Sequence, residues 1–137
     1  MDPLSTSASI IAIFQLTSDV VKYINGASGA ARDRRRLLDE IHSCELVLFN
    51  IKCAIESGDD GGQWLHKVAA LGGSESPLER LTVALEATKS RLMPKRGINK
   101  ILASLTWPFD EKEVMQLVSA IQREKSLLQL VLTSDCR

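Results

Sequence analysis

Between Asp2 and Asp19 the chain carries no charged residue, and large apolar side chains recur at helical spacing from there to Ile24. They are Ile10, Ile11, Ile13, Phe14, Leu16, Val20, Val21 and Ile24. At about 100° per residue, all but Ile11 fall within one arc of about 160°. Ala8, Ala12, Gln15, Ser18, Asp19 and Lys22 occupy the opposite side. The pattern predicts a first helix over about residues 3–24, capped by Asp2 or Ser5. Asn25-Gly26, two residues that tolerate a left-handed backbone, are expected to end it. A helix this apolar requires a cover, supplied either by the rest of the chain or by something outside it.

The rest of the chain is long enough to supply that cover. At 137 residues, 45% hydrophobic and 25% charged, it has the composition of one globular domain, 1–137, and is too apolar for disorder. A second helix is predicted over about 30–57 on the seam Leu37, Ile41, Cys44, Leu48, Ile51 and Ile55, with steps of four and three. Leu38, Val47 and Ala54 widen the stripe enough to touch two neighbours. Gly58-Asp59-Asp60-Gly61-Gly62 stops it. A short amphipathic piece follows over about 63–71.

Ser76-Pro77-Leu78-Glu79 combines a capping box with proline at the first helical position. It opens a third helix over about 77–93 on Leu78, Leu81, Leu85, Thr88 and Leu92, and Pro94 stops that helix. Another short piece covers about 95–106. Trp107-Pro108-Phe109 is a rigid apolar corner, because proline fixes φ and removes a donor. Asp110-Glu111-Lys112-Glu113 then caps a last helix over about 110–132, with Val114, Leu117, Val118, Ile121, Leu128, Val131 and Leu132 inward. No stretch alternates with period two. The expected fold is all-α: an antiparallel helical bundle of four long helices plus one or two short helices.

Several function classes lose support at this stage. Seventeen basic residues balance seventeen acidic ones, which argues against nucleic acid as a partner, and aromatic residues make up only 4%. His42 and His66 lack metal-ligand spacing with cysteine or carboxylate, and no phosphate-binding glycine loop or nucleophile motif is present. The expectation is therefore no enzyme, no cofactor and no metal. Cys44, Cys53 and Cys136 are an odd number, and the first two lie roughly 13 Å apart along one helix, too far for a disulfide. A reducing, cytoplasmic setting fits them. The run Pro3–Ser18 spans only about 24 Å as a helix, short of a ~30 Å hydrocarbon core.

Two basic clusters are candidates for contact with anionic lipid headgroups, worth about 1 kcal/mol per residue near such a membrane. Arg32, Arg34, Arg35 and Arg36 crowd the start of the second helix, where positive charge opposes the helix dipole. Lys95, Arg96 and Lys100 follow Pro94. The plain alternative is a solvated face, with Asp33, Asp39 and Glu40 near the first cluster.

Met1-Asp2-Pro3-Leu4-Ser5, leading into Ala8-Ser9-Ile10-Ile11-Ala12, resembles the opening of the fungal N-terminal domain of STAND proteins, the NOD-like receptors of filamentous fungi. Leu105-Thr106-Trp107-Pro108-Phe109, then Glu111-Lys112-Glu113-Val114 and Ile121 to Leu128, is similar to the final helix of that family. Their separation fits as well, so the resemblance covers nearly the whole chain. It implies a HeLo-like helical bundle, related in kind to the HET-S death-inducing domain, the mixed-lineage kinase-like four-helix bundle and plant coiled-coil receptor domains.

The resemblance further implies a membrane-targeting effector of regulated cell death in fungal innate immunity and incompatibility. Clustering by a downstream or separate STAND sensor module would activate it, with relocation from cytoplasm to plasma membrane. Its implied partners are copies of itself and anionic membrane lipids. Leu4, Ile10, Ile11, Ile13, Phe14, Leu16, Val20, Val21 and Ile24 become the inserting residues, and Trp107, Pro108 and Phe109 a structural motif. Plant pore-forming helices line their channel with acidic residues, whereas this helix offers only Asp2 and Asp19. Lipid disruption by the apolar face is therefore the easier mechanism to support. No nucleotide-binding module, repeat array or amyloid motif is present in these 137 residues, which fits either an excised domain or a free-standing paralogue. The rival expectation is a protein-interaction or oligomerisation module of a STAND receptor without membrane activity.

Overall fold

The computed structural model describes residues 3–56, 76–93 and 106–134, with side chains over 8–54, 76–93 and 106–130. Four helices form it: α1 (Pro3–Gly26), α2 (Ala31–Glu56), α3 (Pro77–Leu92) and α4 (Glu111–Ser134). The expected all-α bundle is what is found, with each long helix ending within two residues of its expected bounds. The short pieces expected over 63–71 and most of 95–106 lie outside the described residues.

Local chemistry explains the starts. The Ser76 hydroxyl accepts the Glu79 N–H at 3.2 Å, and Pro77 occupies the first turn of α3. At α4 the box is reciprocal: Asp110 Oδ1 accepts the Glu113 N–H at 2.8 Å, and Glu113 Oε1 accepts the Asp110 N–H at 3.0 Å. The Asp110 N–H and the Arg91 guanidinium hold the Glu113 carboxyl below its ordinary pKa.

The first helix ends at Asn25-Gly26 as expected, but neither residue takes the left-handed backbone. Helix α1 runs through Gly26, and the left-handed residues are Gly29 (φ 88°) and Ala30 (φ 50°). The chain needs its reversal where α2 begins, so the turn spans 27–30. Ala30 accepts a strain of roughly 1 kcal/mol that glycine would avoid.

Polar contacts between helices fix their directions. Lys89 reaches Asp19, near the C-terminal ends of α3 and α1, so these two run parallel. Arg36 lies by Met115, and Lys125 by Ser43, so α2 and α4 are parallel too. Arg80 with Glu124, and Arg91 with Glu113, set α3 antiparallel to α4. Among the described residues α1 packs on α2 and α3, and α4 packs on α2 and α3, while α2 and α3 do not touch. Consecutive helices thus alternate in direction as expected, but α2 and α3 occupy opposite corners of the bundle.

The core joins all four helices: Ile10, Ile13, Val20 and Ile24 of α1, Leu37, Ile41, Leu48 and Ile51 of α2, Leu78, Leu81, Leu85 and Leu92 of α3, and Val114, Ile121 and Leu128 of α4. Thr88 also points inward, and its hydroxyl donates to the Ala84 carbonyl at 2.8 Å, which satisfies the only polar group it brings. Burial pushes the Cys44 thiol up to about 12, so it packs as an apolar side chain.

Candidate functional site

The apolar arc of α1 is turned into the bundle. Ile10, Ile13, Leu16, Val20 and Ile24 are buried, and Phe14 and Val21 are half-buried against the core. Ile11, the residue outside the arc, is 52% exposed. The Leu4 side chain lies outside the described residues. Packing on α2 and α3 is supplemented by polar contacts in the C-terminal part of the helix. The buried Thr17 hydroxyl donates to the Glu45 carboxylate of α2 at 2.6 Å, with the Phe14 carbonyl as a second acceptor at 3.0 Å. Lys89 Nζ of α3 donates to Asp19 Oδ2 at 2.9 Å. That hydrogen bond lowers the Asp19 pKa and raises that of Lys89.

The far end of α1 is gathered with two other segments. Arg34 of α2 folds back, with Nε donating to the Gly29 carbonyl at 2.6 Å and Nη1 to the Ile24 carbonyl at 3.4 Å. A cation thus sits on the negative end of the α1 dipole. Of the four clustered arginines, Arg34 is the one tied to the end of α1, and it also lines a surface depression with Arg35. The Trp107 N–H donates to the Ser28 carbonyl at 3.0 Å, tying the corner before α4 to the α1–α2 turn. Trp107 and Phe109 are buried, with ring centroids 5.1 Å apart and edge-to-face. The Arg91 guanidinium lies 4.4 Å from the Phe109 centroid, pairs with Glu113, and donates to the Pro108 carbonyl at 2.7 Å. The Trp107 indole N–H is buried without an acceptor among the described residues.

The remaining arginines of the first cluster go elsewhere. Arg32, Arg35 and Arg36 line a groove of about 590 Å³ between α2 and α4, closed on the other side by Met115, Ser119 and Gln122. At its floor Lys125 Nζ lies 2.7 Å from Glu40 Oε2 and donates to Ser43 Oγ at 3.0 Å. Glu40 is buried, and the pair with Lys125 is what permits it. Arg35 also faces a second depression beside Asn25, Leu38 and His42. Lys95, Arg96 and Lys100 lie outside the described residues.

The chain matches no protein-family model, no curated protein and no solved structure.

Among the described residues no group of three or more His, Cys, Asp or Glu is placed to hold a metal ion, and no helix is long and apolar enough to cross a membrane. What the geometry offers is binding: an apolar helix face stored in a core, and a cation-lined groove at the end where the α1–α2 turn and the corner meet. Sequence reasoning missed the buried charges. Glu124 is buried and paired with Arg80 at 3.0 Å, and Glu40 is paired with Lys125. A signal existed for Glu124, which falls between Ile121 and Leu128 on the inward stripe of α4. Glu40 falls at the same spacing between Leu37 and Cys44 of α2, but its cation is 85 positions away in sequence, so periodicity could not name the partner.

Proposed function

We propose that the chain is a membrane-targeting effector domain of regulated cell death, of the HeLo-like kind, held inactive as a bundle and acting through α1 when copies are clustered. The observation that carries the reading is the burial of the described apolar arc of α1 from Ile10 to Ile24. Released, that arc presents a continuous apolar face opposite small and polar residues, the form suited to the headgroup–acyl boundary of a bilayer. The contacts restraining it include single polar pairs, Thr17–Glu45 and Asp19–Lys89, which competing charge at an anionic surface can weaken. Clustering raises the local concentration so that several copies act on one patch of membrane. A STAND sensor supplies the clustering, and the site of action is the plasma membrane.

The test is dye release from anionic vesicles by the full chain fused to an inducible oligomeriser. Release on clustering is expected, with less from Phe14→Glu at unchanged helicity and faster release from Lys89→Ala. A folded, clustered chain that leaves the vesicles intact would overturn the proposal. One observation favours a second reading, a protein-interaction or oligomerisation module: Leu46 and Phe49, one turn apart on α2, are 62% and 52% exposed. Capture of a stoichiometric protein partner that Leu46→Ser and Phe49→Ser abolish, with vesicles intact, would support it.

A further inference from the structure

We propose that the groove between α2 and α4 receives the phosphomonoester headgroup of a membrane lipid, gripped by Arg32, Arg35 and Arg36. The arginines of the bundle are engaged in different ways. Arg34, Arg80 and Arg91 each donate to a carboxylate or a backbone carbonyl. Arg32, Arg35 and Arg36 form no ion pair with any described carboxylate, although all three line one groove. Among the described residues the Arg36 guanidinium donates to Met115 Sδ at 2.8 Å, and a thioether is a weak acceptor for a group carrying five N–H donors.

Their position sharpens the point. All three sit in the first turns of α2, where cations oppose the dipole, so the arrangement lowers stability unless an anion occupies the groove. The acidic groups nearby do not meet that need. Asp33 shares the first turn but does not line the groove, Glu40 is taken by Lys125 at the floor, and Asp39 is exposed at the rim. Four cationic and two anionic side chains line the space, and Ser119 and Gln122 add neutral donors from α4.

The chemistry then selects the ligand. Planar guanidinium forks match phosphate oxygens in pairs. A phosphomonoester presents three terminal oxygens and up to two charges to three such forks, whereas a phosphodiester presents two oxygens and one charge. A carboxylate engages one fork at a time. The volume of about 590 Å³ lies in the range of small-ligand sites. That the phosphate belongs to a lipid rests on the membrane reading above, and the binding assay is independent of permeabilisation.

The experiment is flotation of the full, unclustered chain with phosphatidylcholine vesicles. One set contains phosphatidic acid, the other phosphatidylserine at matched surface potential. The expected result is a preference for phosphatidic acid on the order of tenfold, lost in the double variant Arg32→Gln, Arg36→Gln. The control, Lys112→Gln with Arg123→Gln, removes the same charge from exposed positions of α4 outside the groove and is expected to keep the preference. Both pairs are exposed, and circular dichroism verifies that each variant stays helical.

Equal binding to the two vesicles, or equal loss in the two variants, overturns the proposal. Free glycerol phosphate that displaces the chain at the same headgroup concentration overturns the lipid source, and a polyglutamate peptide that outcompetes the vesicles overturns the phosphate. Preference without dye release sinks the effector reading alone, and dye release without preference sinks this one alone.

Discussion

The bundle has two parallel helix pairs, and they are built on different physics. The α1–α3 pair is dry. It buries Ile10, Ile13, Val20 and Ile24 on one side and Leu78, Leu81, Leu85 and Leu92 on the other, and the single described ion pair across it, Asp19–Lys89, lies at the partly exposed margin. The α2–α4 pair opens into a polar groove whose floor is the Glu40–Lys125 pair and whose wall is arginine. One contact stores apolar surface and the other stores charge. Dispersion and hydrophobic burial add up over every methylene, whereas an ion pair repays its desolvation only when both partners are present. The first pair should therefore carry stability, and the second should carry response to a ligand.

The largest expected effect tests the dry side. Ile13→Ala removes three carbons at a site 1% exposed, and a loss of about 3 kcal/mol in urea unfolding is expected. Val118→Ala, on the edge of the groove at 8% exposed, should lose about 1 kcal/mol. Equal losses at the two positions would break the distinction between the seams. The next effect comes from the floor of the groove. Lys125→Met leaves the Glu40 carboxylate buried without its cation, and a loss of about 3 kcal/mol is expected. Adding Glu40→Leu to that variant should restore most of it, because the uncompensated charge rather than the pair is what matters. A double variant as unstable as the single one would show that the pair itself holds the helices together.

These two seams were not equally legible in the sequence. The dry one was readable, because every leucine of α3 and nearly every large apolar position of α1 follows a 3.6-residue period, and the caps at Ser76 and Asp110 announce themselves within four residues. Burial of Leu78, Leu81, Leu85, Thr88 and Leu92 matches the expected stripe residue for residue. The wet seam was not readable, because it depends on which helix lies beside which. The periodicity of α2 says that two neighbours exist but not that they are α1 and α4. With α2 and α3 at opposite corners, Arg36 meets Met115 and Lys125 meets Glu40 across separations no local pattern encodes. Arg34 illustrates the same limit. Four arginines within five positions look alike in one dimension, yet helical rotation sends one to the carbonyls at the end of α1 and three to the groove.

A smaller effect sharpens the comparison through pH. The Lys89 hydrogen bond lowers the Asp19 pKa in the folded chain, so Asp19 contributes stability above the ordinary carboxylate range, and this is lost as pH falls through its folded pKa. Lys89, raised by the same bond, contributes below the ordinary lysine range, and its share is lost as pH rises through its own folded pKa. Asp19→Asn should therefore be less stable than the parent at neutral pH, and the difference should shrink as pH falls through the folded pKa of Asp19. A difference that persists undiminished in acid would mean that the substitution acts through packing. Because both side chains are partly exposed, the effect should also shrink in high salt.

The smallest expected change is the most telling about the wet side. Arg36 has no described carboxylate partner and sits near the positive end of the α2 dipole. Its replacement by glutamine removes an unfavourable charge and loses only a thioether contact, so unfolding should shift by less than about 0.5 kcal/mol, in the stabilising direction. Arg34→Gln, two residues earlier, should lose about 1 kcal/mol, because the Gly29 and Ile24 carbonyls each lose a charged donor. Opposite signs for neighbouring, chemically identical substitutions would establish that one arginine serves the fold while the other is retained at the fold's expense. A clear loss of stability at Arg36 would instead place it among the structural contacts and leave the groove without the uncompensated charge that marks it as a receptor.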